Sequence, residues 1–246
     1  MDFFAAARAQ LALEYGCQPS DFLQNTNILT TSVLHDGRRR YGNKPHFFQM
    51  ATFGQCAVLT ADPVLHPFLT EFMRTAEGYE LFYQPNLWIL QKELLKYDHS
   101  LAESYHMFLP HHDVQPTLDV TVRWFGEDEL APLRNDPQWR NAISVPANSL
   151  RPDRLAVAAY DGDALIGLAG CSEDADGWMQ IGIDVCVSHR ERGIAGHLVT
   201  LLKNRILQEG KIPFYGTTLS NYASWRTALA AGFTPAFIEQ AAFPID

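Results

Sequence analysis

The stretch Asp184-Val185-Cys186-Val187-Ser188-His189-Arg190-Glu191-Arg192-Gly193-Ile194-Ala195-Gly196-His197-Leu198 decides how the chain reads. An apolar alternation that begins at Trp178 ends in a short polar turn, and small residues then open a helix. At such a corner the turn and the first helical turn carry N–H groups without an internal partner. Together with the positive end of the helix dipole they suit an anion, and a pyrophosphate in particular. Gly193, Ala195 and Gly196 matter because a larger side chain would hold phosphates away from those amides. Arg190 and Arg192 add local positive charge to an acidic chain.

Outward from this corner the pattern is regular. Asp119 to Phe125 and Leu155 to Tyr160 alternate as strands. Glu127-Asp128-Glu129 places acid where the first turn of a helix favours it. Asp161-Gly162-Asp163 is a tight hairpin turn, Ala164 to Cys171 a strand, and Ser172 to Gly177 an acidic loop before the strand from Trp178 to Val187. A long helix from Gly193 to Glu209 shows Ile194, Leu198, Leu201, Leu202 and Ile206 at helical spacing and is ended by Gly210 and Pro213. Phe214 to Thr218 reads as a strand, Asn221 to Ala231 as a helix closed by Gly232, and Phe237 to Phe243 as a last strand. The earlier part is less patterned. It predicts a helix from Phe3 to Tyr15 stopped by Gly16, a hairpin around Gly54, helices near Phe68 and over Leu87 to Tyr97, and a strand from Tyr105 to Leu109. The two prolines around Leu109 to Pro116 suggest a boundary, giving domains 1–116 and 117–246.

Composition limits the function classes. With 47% hydrophobic and 12% aromatic residues among 246, the chain has ample material for a packed core, which excludes general disorder. The net charge is −9, and acidic residues outnumber basic ones on both sides of residue 116, so neither nucleic acid nor a membrane surface is an expected partner. The start lacks the pattern of a signal peptide, which points to the cytoplasm. Cys17, Cys56, Cys171 and Cys186 stand apart without a CxxC pair, so neither a disulfide scaffold nor a zinc ribbon is expected, and no metal site. His111-His112-Asp113 reads as linker, since adjacent side chains point apart. Arg38-Arg39-Arg40 reads as a solvated loop, with an anion contact as the alternative, and Glu173-Asp174-Asp176 as a hairpin loop able to attract a cationic amine.

Arg190-x-x-Gly193-x-Ala195 is similar to the [QR]-x-x-G-x-[GA] signature of the GNAT acetyltransferase superfamily, and Asn221-x-x-Ser224 followed by Gly232-Phe233 resembles that family's second motif. The resemblance runs from about residue 117 to 246. It implies an α/β (α+β) fold with a mixed, mostly antiparallel sheet flanked by helices; before it, the order of predicted strands and helices in 1–116 suggests a smaller α+β domain. It also implies acetyl-CoA as acyl donor and a small-molecule or peptide amine as acceptor, attacked directly in a ternary complex.

By that resemblance the strand ending at Val185, Cys186 and Val187 splays from its parallel neighbour and bonds the pantetheine arm. Arg190, Glu191, Arg192, Gly193, Ile194, Ala195 and Gly196 take the pyrophosphate, while Asn221 and Ser224 meet the arm near the thioester. The N–H of Val185 or Cys186 would stabilise the oxyanion. The family's helix tyrosine falls at Ala228, so Tyr222 and Tyr215 are the alternative acids, packing or surface exposure being the other reading of each. Asp184 is the one carboxylate of this strand, a base or else a structural hydrogen-bonding group. A CoA-binding regulatory module without catalysis is the competing reading. The segment 1–116 is expected to cover the acceptor side or to build a homodimer.

Overall fold

The computed structural model describes residues 1–245. In chain order the first elements are α1 (Phe3–Tyr15), β1 (Ile28–Thr31), β2 (Phe48–Thr52), β3 (Ala57–Ala61), α2 (His66–Phe72), α3 (Gln84–Leu94), β4 (His99–Leu101) and β5 (Tyr105–Pro110). They are followed by β6 (Thr121–Gly126), β7 (Asp153–Asp161), β8 (Ala164–Ala175), β9 (Trp178–Val185), α4 (Ile194–Gln208), β10 (Ile212–Thr218), α5 (Tyr222–Ala230) and β11 (Phe233–Pro244).

Two compact units result. One comprises Met1–Arg38, Gly42–Met107 and Ala236–Asp246, and the other Arg39–Tyr41 and Phe108–Pro235. The expected division at 116/117 does not coincide with these units. Residues 108–116 belong to the second, because His111 and His112 donate their N–H groups to Gly232 O at 2.9 and 3.0 Å. The last residues return to the first unit, because Gln49 to Thr52 of β2 pair with Ile238 to Ala241 of β11.

In the first unit, Asp2 caps α1 by accepting from Ala5 N–H at 2.9 Å, and Gly16 ends it in the left-handed conformation (φ 62°). The hairpin around Gly54 is β2–β3, antiparallel, with β1 added parallel to β3. Phe48, Met50, Leu59, Leu65, Leu69, Leu90 and Leu94 fill its core.

The second unit is a meander of β6, β7, β8 and β9, extended by β10 parallel to β9 and then by β5. Against one face lie α4 and α5, burying Ile194, Leu198, Val199, Leu202 and Ile206 with Val157, Ile181 and Tyr215. Gly167 on β8 admits α4 closely, since a Cβ there would sit 3.1 Å from Ile194 Cγ2. The opposite face is covered by 3-10 turns at Glu127–Glu129, Ala131–Asn135 and Pro137–Trp139, where an α-helix was expected. Pro132 and Pro137 lack the N–H that would carry the preceding turn onward as an α-helix, so the segment breaks into separate short turns. The expected acidic loop is also shorter than predicted: β8 runs on to Ala175 and only Asp176-Gly177 turns, with Gly177 at φ 73°. Among the described residues no helix is long and apolar enough to cross a membrane.

Candidate active site

The corner after β9 is built by a strand pair that comes apart. β9 and β10 pair in parallel from Trp178/Ile212 to Ile181/Tyr215. There the ladder stops, although β9 continues to Val185 and β10 to Thr218. On its other side β9 stays paired with β8 as far as Gly167/Val185. Cys186 N–H donates to Ile166 O at 2.9 Å, which makes 166/186 a hydrogen-bonded antiparallel pair. Alternation then makes 167/185 a non-bonded pair, so the N–H and C=O of Val185 turn toward the side where β10 has parted. Of the two N–H groups expected to serve an oxyanion, that of Cys186 is therefore spent and that of Val185 is available.

Beyond the strand, Val187 begins a 3-10 turn and is 77% exposed, off the strand face on which the alternation placed it. Glu191 and Gly193 both adopt left-handed φ, 63° and 79°. This reversal of handedness within three residues aims successive amides outward, the geometry of an anion-binding nest. Among the described residues, none of the backbone N–H groups from Glu191 to Gly196 donates a hydrogen bond; the first one used is that of His197, to Gly193 O at 3.0 Å. The glycines serve this corner differently from the expectation. A Cβ on Gly193 would meet nothing closer than Leu118 Cδ1 at 3.7 Å, so its left-handed φ is what calls for glycine. A Cβ on Gly196 would face Ala230 Cβ at 3.5 Å, so its smallness serves the contact between α4 and α5. Ile194 buries its side chain in the core, Ala195 is half-buried, and the Arg192 side chain is exposed and unpartnered among the described residues. Arg190 Nε donates to Val185 O at 3.2 Å, bracing the turn against the strand end.

On the other face of β9, Asp184 holds the loop after Pro137. Its carboxylate accepts from Asn141 N–H at 2.8 Å, Asn141 Nδ2 at 2.6 Å and Ala142 N–H at 3.0 Å. Gly182 and its cross-strand partner Gly170 make room for this loop, since a Cβ on either would lie 1.8 Å from Asn141 O or 2.3 Å from Ala142 O. The loop and the strand end enclose a cleft of about 240 Å³, lined by Gln138, Arg140, Asn141, Asp184, Cys186 and Arg190 among others. No motif announced residues 137–141; the signal available was the glycine pair inside two strands, which marks a close backbone approach.

At the start of α5, Asn221 Oδ1 accepts from Ser224 N–H at 3.1 Å and caps the helix, leaving its Nδ2 free to donate. Ser224 Oγ lies 2.7 Å from Tyr215 Oη, so the serine is paired within the protein. Burial pushes the Tyr215 phenol above its ordinary pKa, against the opposing bond from Ser224. Ala228 is fully buried beside Tyr215, whereas Tyr222 is 70% exposed.

One face of α4 does work that sequence reading missed. His197 Nδ1 accepts from Leu118 N–H at 3.2 Å, Lys203 Nζ donates to His112 O at 3.1 Å, and Asn204 Nδ2 donates to Val114 O at 3.2 Å. These bonds clamp the segment read as a linker. Burial lowers the pKa of both His197 and Lys203. The basic run is likewise not a solvated loop: Arg39 is 5% exposed with its guanidinium 5.9 Å from the Phe214 ring, and Arg40 donates from its backbone to Asp174 O at 2.8 Å. Asp174 is fully buried and paired with Arg151, and Glu173 is paired with Arg154, so neither carboxylate is displayed to a cationic ligand.

Part of the chain is similar to known proteins. Residues 118–233 match the acetyltransferase (GNAT) family. A GCN5-related N-acetyltransferase from Kribbella flavida shares the fold with a TM-score of 0.52 at 15% identity, over 99% of this chain and 96% of its own. A GNAT-family acetyltransferase from Colwellia psychrerythraea aligns at 18% identity with a TM-score of 0.44, over 58% of this chain, which spans 57% of that protein's length. A putative acetyltransferase from Salmonella typhimurium, solved with its cofactor acetyl-CoA, aligns at 15% identity with a TM-score of 0.38, over 52% of this chain and 95% of its own. No curated protein matches the sequence closely enough to count as a relative. The match to the acetyltransferase (GNAT) family thus covers just under half of the chain.

Proposed function

We propose that this domain transfers an acetyl group from acetyl-CoA to a primary amine by direct attack of the amine in a ternary complex. The observation that carries the reading is the unspent run of N–H groups from Glu191 to Gly196 beside the open edge at Val185. Their left-handed turns and the exposed Arg192 suit a diphosphate. The Val185 edge suits the amide-bearing arm of the donor as an added strand, and Asn221 Nδ2 is left to donate to it. Acetyl-CoA supplies the activated thioester; the protein's share is to bind, orient and present one donor, the Val185 N–H, to the oxygen that gains charge.

Asp184 has its oxygens turned to three N–H donors, which supports a positioning role for it over that of proton acceptor. Tyr222 remains the acid candidate with an accessible hydroxyl. A thiolate is a fair leaving group, so positioning supplies most of the rate.

Calorimetry with CoA and acetyl-CoA, followed by thiol release over a panel of amines, tests this reading. Binding with transfer to at least one amine is the expected result. Tight binding without thiol release for any amine would leave a CoA-binding module, and no binding would refute the site.

A further inference from the structure

Resting on that reading, we infer that the cleft beside β9 recognises an acidic group on the acceptor, a carboxylate, through Arg140. The cleft's polar side chains are mostly committed. Asp184 accepts three bonds from Asn141 and Ala142, Asn141 Nδ2 is spent on Asp184, and Gln138 Nε2 donates to Asp136 Oδ2 at 2.5 Å. Arg190 uses its Nε on Val185 O and keeps only its terminal nitrogens. Arg140, by contrast, is an exposed residue of the cleft lining whose guanidinium makes no hydrogen bond or ion pair among the described residues. With Arg140 and Arg190 against the single carboxylate of Asp184, the charged residues lining the cleft sum to a positive charge, on a chain of net charge −9.

A planar guanidinium fork matches a carboxylate by two parallel bonds. Arg140 stands on the loop that Asp184 and the Gly170/Gly182 pair fix against the sheet, so the guanidinium is carried on a held backbone. Val185, whose N–H faces the open edge, also lines the cleft. An amine that bears a carboxylate can then be anchored at Arg140 on the strand end where the acetyl group is to be received. A phosphate of the donor is the other source of an anion, and the two make different kinetic predictions.

Initial rates with acetyl-CoA would be compared for alanine, glutamate and lysine and for the amide of each. The expected result is a kcat/KM for at least one free acid about tenfold or more above its amide, the size of a charge-assisted pair. Arg140→Gln should bring acid and amide to within about twofold while KM for acetyl-CoA stays put, and Arg140→Lys should retain part of the preference. Equal use of acids and amides by the native protein overturns the inference, and so does an R140Q effect confined to KM for acetyl-CoA, which would assign the arginine to the donor's phosphate. Should acetyl-CoA bind and no amine react, the transfer reading fails by itself. Calorimetric titration of the acetyl-CoA complex with N-acetylalanine and its amide then decides the inference: binding of the acid alone, lost in R140Q, upholds it, and any other pattern overturns it. Circular dichroism of both variants checks that the exposed substitution leaves the fold intact.

Discussion

Asp184 grips Asn141 twice, accepting from its backbone N–H at 2.8 Å and from its side-chain amide at 2.6 Å. With the further bond from Ala142 N–H at 3.0 Å, one carboxylate anchors the loop that walls the cleft. Asp184→Asn replaces an acceptor-only group by one that presents N–H to N–H. The variant should lose about 1–3 kcal/mol of stability in urea unfolding. KM for the acceptor should rise, while the acid limb of the rate–pH profile persists, because a positioning residue does not take the proton. Loss of that limb in D184N would make Asp184 the base.

Gly182 and Gly170 should not tolerate a methyl group. A Cβ at Gly182 meets Asn141 O at 1.8 Å, and backbone cannot rotate away as a side chain end can. Gly182→Ala is expected to cost about 1–3 kcal/mol or more. Gly42→Ala, with nothing within 4 Å of its Cβ, should fall within about 0.5 kcal/mol of the native protein. Chemical denaturation of the pair gives the contrast.

Gly193 and Glu191 separate conformation from chemistry at the corner. Gly193→Val forces a β-branched residue to φ 79°, and the turn should abandon its outward amides, weakening CoA binding about tenfold or more. Glu191→Gly relieves a left-handed glutamate at φ 63° and removes a negative charge beside the amide run, so CoA affinity should be kept or raised. Calorimetry with CoA on both variants reads the two signs. Loss of affinity in E191G would mean that the carboxylate, and not the turn, is what the ligand needs.

His197 links pH to the same corner. Burial lowers its pKa from the ordinary 6.5, so the unfolded chain takes up the proton first as pH falls. Its contribution to stability is complete above pH 6.5 and is lost as pH drops through 6.5 toward the lowered value, when Nδ1 can no longer accept from Leu118 N–H. His106, also lowered by burial, acts with the same sign in the first unit. Urea midpoints at about pH 7.5 and about pH 5.5 should differ more for the native protein than for His197→Gln, whose amide oxygen can accept from Leu118 at either pH. An equal difference in both would show that His197 does not titrate on unfolding.

Much of the second unit was legible because its signals are local. Ile194, Leu198, Leu202 and Ile206 repeat at helical spacing, and all four are buried where that spacing puts them. Gly16 and Gly210 end their helices for a reason that needs no tertiary partner, the left-handed φ at each. In the 127–139 segment the acidic residues point to a helix start while Pro132 and Pro137 interrupt it, and in the fold the prolines prevail, leaving short 3-10 turns. Arg39 and Asp174 look solvated in sequence because charge predicts exposure; they are buried because each found the other's neighbourhood, 135 positions away along the chain.

What the sequence by itself determined is the corner: strand, turn, small residues and helix lie within one short run, and backbone chemistry there follows from spacing alone. Only the tertiary structure decided which of those groups are free. Whether Val185 or Cys186 keeps its N–H depends on the register with β8, whether Asp184 is available depends on a loop some forty residues earlier, and whether Arg140 faces a cleft depends on two glycines in separate strands. Each of these is a competition for a hydrogen bond or for space between segments far apart in the chain, and such competition leaves no periodic trace in the residues that win it.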